Sequence, residues 1–185
     1  ALYKKPFAKY YLHNGFITVD RQKMSKSLGN FVTLGEVLKK YDDQVVRFFL
    51  LKKQYREPLE YSDEEMAEAE ENLRRIQSAI RETIKTASPK IETRRRRKGK
   101  PSLDECPDAE KKLIDSLAQS KNKFIEAMND DFNTEEAIRI LLEVSQCIEE
   151  FAQTCKRFKS AEAGKEAKAI CRQFNDVMGV CRKLK

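Results

Sequence analysis

Four long stretches of the chain repeat apolar side chains at steps of three and four residues, and this spacing constrains the fold more than any other feature. It places those side chains on one face of an α-helix, and that face must be covered. The first stretch opens with the capping-box spacing of Ser62 and Glu65 and carries Met66, Ala69, Leu73, Ile76, Ile80 and Ile84. The sequence therefore predicts a long amphipathic helix that ends near residues 88–89.

The second half of the chain contains three more stretches of this kind. The first, over 108–128, presents Leu113, Leu117, Phe124, Ile125 and Met128. The next, capped by Asn133 with Glu136, presents Ala137, Leu141, Val144, Ile148, Phe151, Cys155 and Phe158. The last presents Ala167, Ile170, Cys171, Phe174, Val177 and Met178, before Gly179 as the helix-ending residue. Because each stripe can be buried only against the others, we predict an antiparallel four-helix bundle over residues 62–180, with 181–185 as a tail.

Shorter elements are predicted before this bundle. "GFITVD" (15–20) has the composition of a strand, and Thr33 with Glu36 forms a capping box for a short helix through Tyr41. Asp42 can cap the next helix, whose apolar "VVRFFLL" implies deep burial. "REPLEYS" should be extended, since proline biases its predecessor away from helix. The whole chain is therefore predicted to be mainly α.

Net charge and cysteine content indicate which partners and which cellular compartment the protein could have. The formal net charge of +7 is compatible with a polyanionic partner but does not establish one. The cysteines are odd in number and none are spaced as CxxC, which favours buried thiols in a reducing compartment over disulfides or a zinc site; they are Cys106, Cys147, Cys155, Cys171 and Cys181. There is no apolar run of about eighteen residues. We therefore expect a cytoplasmic protein without a membrane-spanning segment.

Residues 89–107 interrupt the helical pattern. They include the basic run from Arg94 to Lys100, contain few apolar residues, and have Gly99 and Pro101 at the end of that run. Blocks of like charge usually stay solvated, so we interpret this segment as a linker or insertion in preference to a nucleic-acid patch.

The string "KMSKSLGN" at residues 23–30 carries the clearest chemical signal. Two ammonium groups on flexible stems, Lys23 and Lys26, suit phosphate as mobile point charges. Hydroxyl and backbone N–H donors can join them, so the loop could fold over a triphosphate and stabilise departing pyrophosphate. Two lysines at this spacing alone would be weak evidence, because lysine-rich turns are ordinary.

The complete string resembles the KMSKS signature of class I aminoacyl-tRNA synthetases. Its flanks resemble the cysteinyl-tRNA synthetase family, in "YYLHNGFITVDRQ", in "RFFLLKKQYREPLEYS" and in "AMNDDFNTEEA". The family has proline where this chain has Glu135, a substitution that a first helical turn tolerates. The resemblance covers about residues 8–88 and 108–180.

The resemblance implies roles for individual residues. Lys23 and Lys26 would bind the ATP phosphates and stabilise the transition state of adenylate formation, with Lys26 the more important. Met24, Ser25 and Ser27 would shape the loop and contact the nucleotide, and Gly29 and Asn30 would fix its final turn. Residues 1–32 would end a Rossmann-type catalytic domain, 33–61 would form the stem-contact region, and 62–180 would dock tRNA.

Other parts of the family pattern are not found. "LHNG" (12–15) does not match the HxGH motif, and His13, the single histidine, has no clustered partners for zinc. We expect a mainly structural role for His13, with a place in the active-site wall as the alternative. The resemblance thus implies a C-terminal fragment of a cysteine–tRNA ligase that is inactive alone. The parent would be a monomer using cysteine, ATP with Mg²⁺, tRNA(Cys) and a zinc ion held outside this chain.

Two alternatives remain open from the sequence. The chain could be a non-catalytic helical module that binds tRNA or another partner, or it could belong to a related cysteine ligase that acts on an amino sugar. If the chain binds tRNA, either as part of a synthetase or as a non-catalytic module, phosphate contacts would position the nucleic acid without reading its sequence. The weak candidates for such contacts are Arg74, Arg75, Arg81, Lys121 and Lys123.

Overall fold

A computed structural model describes residues 7–87, 107–154 and 161–179. Three short strands come from the first part of the chain: β1 Ile17–Val19, β2 Gln22–Lys23 and β3 Leu59–Glu60. Two short helices lie between them in sequence, α1 Leu34–Lys40 and α2 Asp43–Leu51. Four long helices complete the described structure: α3 Asp63–Ala87, α4 Pro107–Asn129, α5 Thr134–Thr154 and α6 Ala161–Met178. The predicted mainly α fold is confirmed.

The three strands form one sheet in the order β2-β1-β3. β1 pairs with β2 as an antiparallel hairpin, with Thr18 opposite Lys23, and pairs with β3 in parallel, with Thr18 opposite Glu60. The sequence predicted β1 and the extended segment around β3. It did not predict β2, which is only two residues long and ends at the first residue of the stretch interpreted as a loop.

The caps of the two short helices follow the sequence signals. Thr33 and Glu36 form a complete capping box at the start of α1, and Asp42 caps α2 by accepting from the backbone N–H of Gln44. The capping box predicted at Ser62 and Glu65 is half formed. The Ser62 hydroxyl accepts from the Glu65 N–H at 3.2 Å, but the Glu65 carboxylate pairs with Lys52 instead of returning to the cap.

The long helices pack as a four-helix bundle, with α3 against α5 and α6, and α4 against α5 and α6. Helices α3 and α4 therefore occupy opposite corners. Both α3 and α5 begin beside the end of α2, where Lys52 pairs with Glu65 and Lys53 with Glu135. Gly179, at the end of α6, lies against Arg47 of α2. Thus α4–α5 and α3–α6 are antiparallel pairs as predicted, while the neighbours α3 and α5 run in the same direction.

The core is one continuous cluster that joins the bundle to α1, α2 and β3. Most residues of the predicted stripes are buried, but Ile125 and Val177 are 46% and 57% exposed. The buried face of α4 includes two small residues, Ser120 and Ala127, and does not include Ile125, which the sequence analysis had placed on it. Helix α2 is buried on one side only, because Leu50 is 48% exposed. These three positions correct the predicted apolar faces.

Several predictions fall on residues that the structure does not describe. They concern the linker predicted at 89–107, of which only Pro107 is described, with its Arg94 to Lys100 run, the cysteines at 106, 155 and 181, Phe158, the tail at 181–185 and the side chain of Ile84. Of the other two cysteines, Cys171 is buried and Cys147 is half-buried, and neither of these two forms a disulfide.

Candidate functional site

The loop at residues 23–30, called the KMSKS loop below, is held at its start by the β1–β2 hairpin. The two residues that turn the chain, Asp20 and Arg21, both have positive φ, 51° and 59°. Two-residue hairpin turns need this conformation because it matches the twist of the paired strands, although it is unfavourable for residues other than glycine. After the turn, the Met24 N–H donates to the Ile17 carbonyl at 3.0 Å, so the hairpin continues into the loop.

Asn30 closes the other end of the KMSKS loop. Its side-chain carbonyl accepts from the Ser25 N–H at 2.9 Å, and its amide nitrogen donates to the Lys23 carbonyl at 3.4 Å. Ser25 adds a second set of bonds, since its hydroxyl lies 3.2 Å from that of Ser27 and accepts from the Leu28 N–H. These bonds give the loop a compact shape in which both serine hydroxyls are already used internally.

Gly29 provides the last turn of the loop. Its φ is +70°, a conformation that L side chains rarely adopt, and its N–H donates to the Lys26 carbonyl at 3.3 Å. Met24 faces the opposite way and lines an apolar pocket with Val32, Phe49, Tyr61 and other residues of α1, α2 and α3. The loop is therefore seated on the protein by Met24 and leaves the two lysines outside.

Both lysines of the loop are exposed to solvent, and each lies over a flanking aromatic ring. The Lys23 ammonium is 3.8 Å from the centre of the Phe16 ring, and the Lys26 ammonium is 5.5 Å from the centre of the Phe31 ring. Such contacts are weak at exposed sites, about 0.5–1 kcal/mol, so a multiply charged anion can easily replace the ring as partner. Sequence reasoning did not identify Phe16 and Phe31.

A second polar cluster joins the segment after α2 to the turn between α4 and α5. Asp131 in that turn accepts from the Arg56 guanidinium at 2.5 and 3.2 Å and from the Tyr55 hydroxyl at 2.9 Å. These bonds, the one with Arg56 foremost, hold the pKa of the Asp131 carboxyl below its usual value. Asp131 and Phe132 both have positive φ, 50° and 55°, so the cluster holds a turn of unfavourable backbone conformation.

The same segment reaches the start of the hairpin through the backbone. The Gly15 N–H donates to the Tyr55 carbonyl at 2.7 Å, and a Cβ at Gly15 would overlap the carbonyl oxygen of Glu57. Gly15 is thus required by a close approach of two backbones. The motifs "QYREPLEYS" and "NDDFNT", 75 residues apart at Arg56 and Asp131, form one continuous contact that ends beside the strand leading into the KMSKS loop.

The five candidate tRNA-contact residues are not brought together. Arg74 is paired with Glu70 and Glu71 on its own helix, so much of its charge is already neutralised. The other two arginines, Arg75 and Arg81, are exposed on α3, while Lys121 and Lys123 lie on α4. Since α3 and α4 occupy opposite corners of the bundle, these two groups lie on helices that are not neighbours.

Two further observations concern metal binding and the ability of the helices to cross a membrane. His13 is exposed, and within the described parts of the chain no three histidine, cysteine, aspartate or glutamate side chains are grouped closely enough to hold a metal ion. The described residues therefore do not fit a zinc site. None of the helices in the described ranges combines the length and apolar character that crossing a membrane requires.

Comparison with known protein families agrees with the motifs. The family described as tRNA synthetases class I (C) catalytic domain matches residues 1–71, and the DALR domain family matches residues 123–182. Among curated proteins, the cysteine–tRNA ligase of Geotalea uraniireducens is 39% identical over 183 residues, covering 95% of this chain. The chain belongs to the cysteinyl-tRNA synthetase family.

Other members of this family are similar at comparable levels. The cysteine–tRNA ligases of Persephonella marina and Thermococcus onnurineus are each 38% identical, over 96% and 84% of this chain. The chain covers 35%, 33% and 30% of the Geotalea, Persephonella and Thermococcus proteins, respectively. It therefore spans about a third of the length of these cysteinyl-tRNA synthetases.

A solved structure has the same fold at lower sequence similarity. It is LeuRS of Agrobacterium radiobacter K84, determined in a ternary complex with tRNA and LeuAMS, and it matches 92% of this chain and 21% of its own with a TM-score of 0.64. The sequence identity is 18%, so this comparison supports the fold alone, that is, the arrangement of helices and sheet found in this chain.

Proposed function

We propose that this chain supplies the KMSKS loop and the tRNA-docking helices of a cysteine–tRNA ligase. The observation that supports this most strongly is the KMSKS loop itself, with two exposed lysines on a loop that Asn30 and Gly29 keep in shape. The family membership gives the reaction class. The enzyme would join cysteine to ATP, form cysteinyl-adenylate with release of pyrophosphate, and transfer cysteine to tRNA(Cys).

In the first step, the cysteine carboxylate would attack the α-phosphorus of ATP, and the bond from that phosphorus to the pyrophosphate oxygen would break. Negative charge then grows on the leaving pyrophosphate. Lys23 and Lys26 would exchange their aromatic neighbours for these oxygens, because a buried phosphate charge attracts an ammonium group far more strongly than a ring does. The backbone of Met24, Ser25 and Ser27 would line the nucleotide side of the loop.

The remaining assignments follow from the same family. ATP would bind with Mg²⁺, the zinc ion that selects the cysteine thiol would lie outside this chain, and the enzyme would act as a cytoplasmic monomer. The bundle, including residues on α3 or α4, would contact the tRNA backbone. Residues 33–61 would form the stem-contact region between loop and bundle.

The test is ATP–pyrophosphate exchange by the full-length enzyme that contains this chain, measured with several amino acids. We expect exchange that depends on cysteine and falls at least about 100-fold in Lys26→Ala, equivalent to about 2.7 kcal/mol of transition-state stabilisation. Lys39→Ala is the matched control, because it removes an exposed lysine from the last turn of α1.

Three other results would each contradict part of the proposal. Normal exchange in Lys26→Ala would remove the loop from the chemistry. Exchange with another amino acid would keep the class of enzyme and overturn the substrate. No exchange with any amino acid, together with salt-dependent tRNA binding, would favour a non-catalytic binding module.

A further inference from the structure

We infer that Glu60 is a positioning residue for Lys23 of the KMSKS loop. The inference rests on the proposed function, since it assigns Glu60 a part in placing a lysine at the ATP phosphates. Glu60 is half-buried at the end of β3 and is separated from the hairpin by about forty residues of chain. No signal in the sequence pointed to it.

The Glu60 carboxylate is bonded to both sides of the β1–β2 turn. One oxygen accepts from the Thr18 hydroxyl, and the other accepts from the Arg21 N–H at 3.1 Å. Arg21 is one of the two turn residues with positive φ. The carboxylate therefore bonds directly to the backbone of this unfavourable turn.

The register of the sheet connects this contact to Lys23. Thr18 is opposite Glu60 on one side and opposite Lys23 on the other, so the three side chains lie on the same face of the sheet. Phe16 lies two residues before Thr18 on that face, and its ring contacts the Lys23 ammonium. A slip of one residue in the hairpin would move Lys23 to the opposite face. By fixing the turn, Glu60 fixes the face on which Lys23 is presented.

The charge of Glu60 is satisfied without an ion pair to the lysine. The hydrogen bonds from the Thr18 hydroxyl and the Arg21 backbone N–H lower the pKa of its carboxyl. Lys23 therefore keeps its ammonium available for an anion. A carboxylate bonded directly to Lys23 would instead compete with phosphate for it.

The experiment compares Glu60→Ala with Glu60→Gln and with the control Glu64→Gln, which removes one exposed negative charge at the start of α3. In cysteine-dependent ATP–pyrophosphate exchange by the full-length enzyme, we expect kcat/KM for ATP to fall at least tenfold in Glu60→Ala. KM for cysteine and the midpoint of thermal unfolding should stay near the wild-type values. The kcat/KM for ATP of Glu60→Gln should lie between those of Glu60→Ala and the wild type, because the glutamine amide keeps one hydrogen-bond acceptor. Glu64→Gln should match the wild type.

A second measurement separates this inference from the proposed function. Amide hydrogen exchange of Arg21 in the full chain reports the turn directly and needs no activity. We expect its protection to be lost in Glu60→Ala and kept in Glu64→Gln. The wild-type enzyme could show no ATP–pyrophosphate exchange while the amide protection of Arg21 still depends on Glu60. In that case the proposed function fails, but the positioning of the turn by Glu60 stands.

Two results would overturn the inference. One is unchanged ATP kinetics in Glu60→Ala with intact folding. The other is an equal loss in the kinetic constants for all substrates together with a lowered unfolding midpoint, which would mean that Glu60 only stabilises the fold.

Discussion

At the scale of single residues, the site depends on backbone positions that few amino acids can occupy. Gly15 is the sharpest case, because its hydrogen has the Arg56 and Glu57 carbonyls as neighbours and leaves no space for a side chain. Gly29 differs, since a Cβ there would meet nothing within 4 Å and only its positive φ requires glycine. The two glycines thus serve the KMSKS loop for different physical reasons.

This difference predicts the effect of Gly15→Ala. Because a Cβ must push two backbone segments apart, we expect the free energy of unfolding of the full chain to fall by about 1–3 kcal/mol, measured by urea denaturation. Gly35→Ala is the matched control in α1, where a Cβ would meet only the Thr33 hydroxyl at 3.9 Å. There alanine should be neutral or stabilise by up to about 1 kcal/mol. Equal effects of the two substitutions would contradict the close approach seen at Gly15.

Some residues of the candidate site could be predicted from the sequence and others could not. The KMSKS loop, its two lysines and the Thr33 and Asp42 caps are local features, and their chemistry is readable from neighbouring residues. Glu60, Phe16 and Asp131 were not predicted. Their contacts depend on pairing between distant segments, and strands of two or three residues are too short to leave a periodic signal.

At the scale of elements, the α4–α5 turn is held by the segment after α2. Asp131 has a folded-state pKa below its ordinary value near 3.8, so its contribution to stability is fully present above about pH 4 and is lost as the pH falls through the folded pKa. We expect Asp131→Asn to be less stable than the wild type at neutral pH, and the difference should shrink as the pH is lowered below 4. Asparagine also tolerates positive φ, so the substitution tests the charge more than the backbone.

Urea unfolding of the full chain across this pH range is the measurement. Asp130→Asn removes the same charge one residue earlier, where the exposed side chain makes no contact with Arg56, and should leave the midpoint near the wild-type value. A stability difference between wild type and Asp131→Asn that does not vary with pH would mean that the Arg56 contact does not set the pKa of Asp131.

Helix existence was more predictable than helix orientation. The apolar stripes identified all four bundle helices, because each stripe is long and strongly periodic. The exposed Ile125 and Val177 were misassigned, since a residue adjacent to a stripe cannot be separated from it by spacing alone. The order of helices around the bundle depends on which faces match in shape, and the spacing of apolar residues does not encode that.

At the scale of the whole molecule, the two groups of basic residues lie on opposite corners of the bundle, and we expect one tRNA arm to contact only one of these two faces. We therefore predict that only one group contributes to tRNA binding by the full-length enzyme, either Arg75 and Arg81 or Lys121 and Lys123. Each phosphate contact removed should reduce the slope of log affinity against log salt by about 1. Alanine substitution of the contributing pair should lower the slope by about 2, and the other pair serves as the control. Equal reductions from both pairs would contradict the separation of the two faces.

The parallel pairing of β1 with β3 has a consequence for how the molecule assembles. Thr18 and Glu60 are 42 positions apart in the chain, and α1 and α2 lie between them. Closing a loop of this length costs entropy, and the docking of the intervening helices helps to offset that cost. We therefore expect the pairing of β1 with β3, and with it the contact of Glu60 with the turn before Lys23, to form only after α1 and α2 have docked. We therefore expect a fluctuation that releases these two helices to disturb the KMSKS loop as well, although neither helix contains a lysine of that loop.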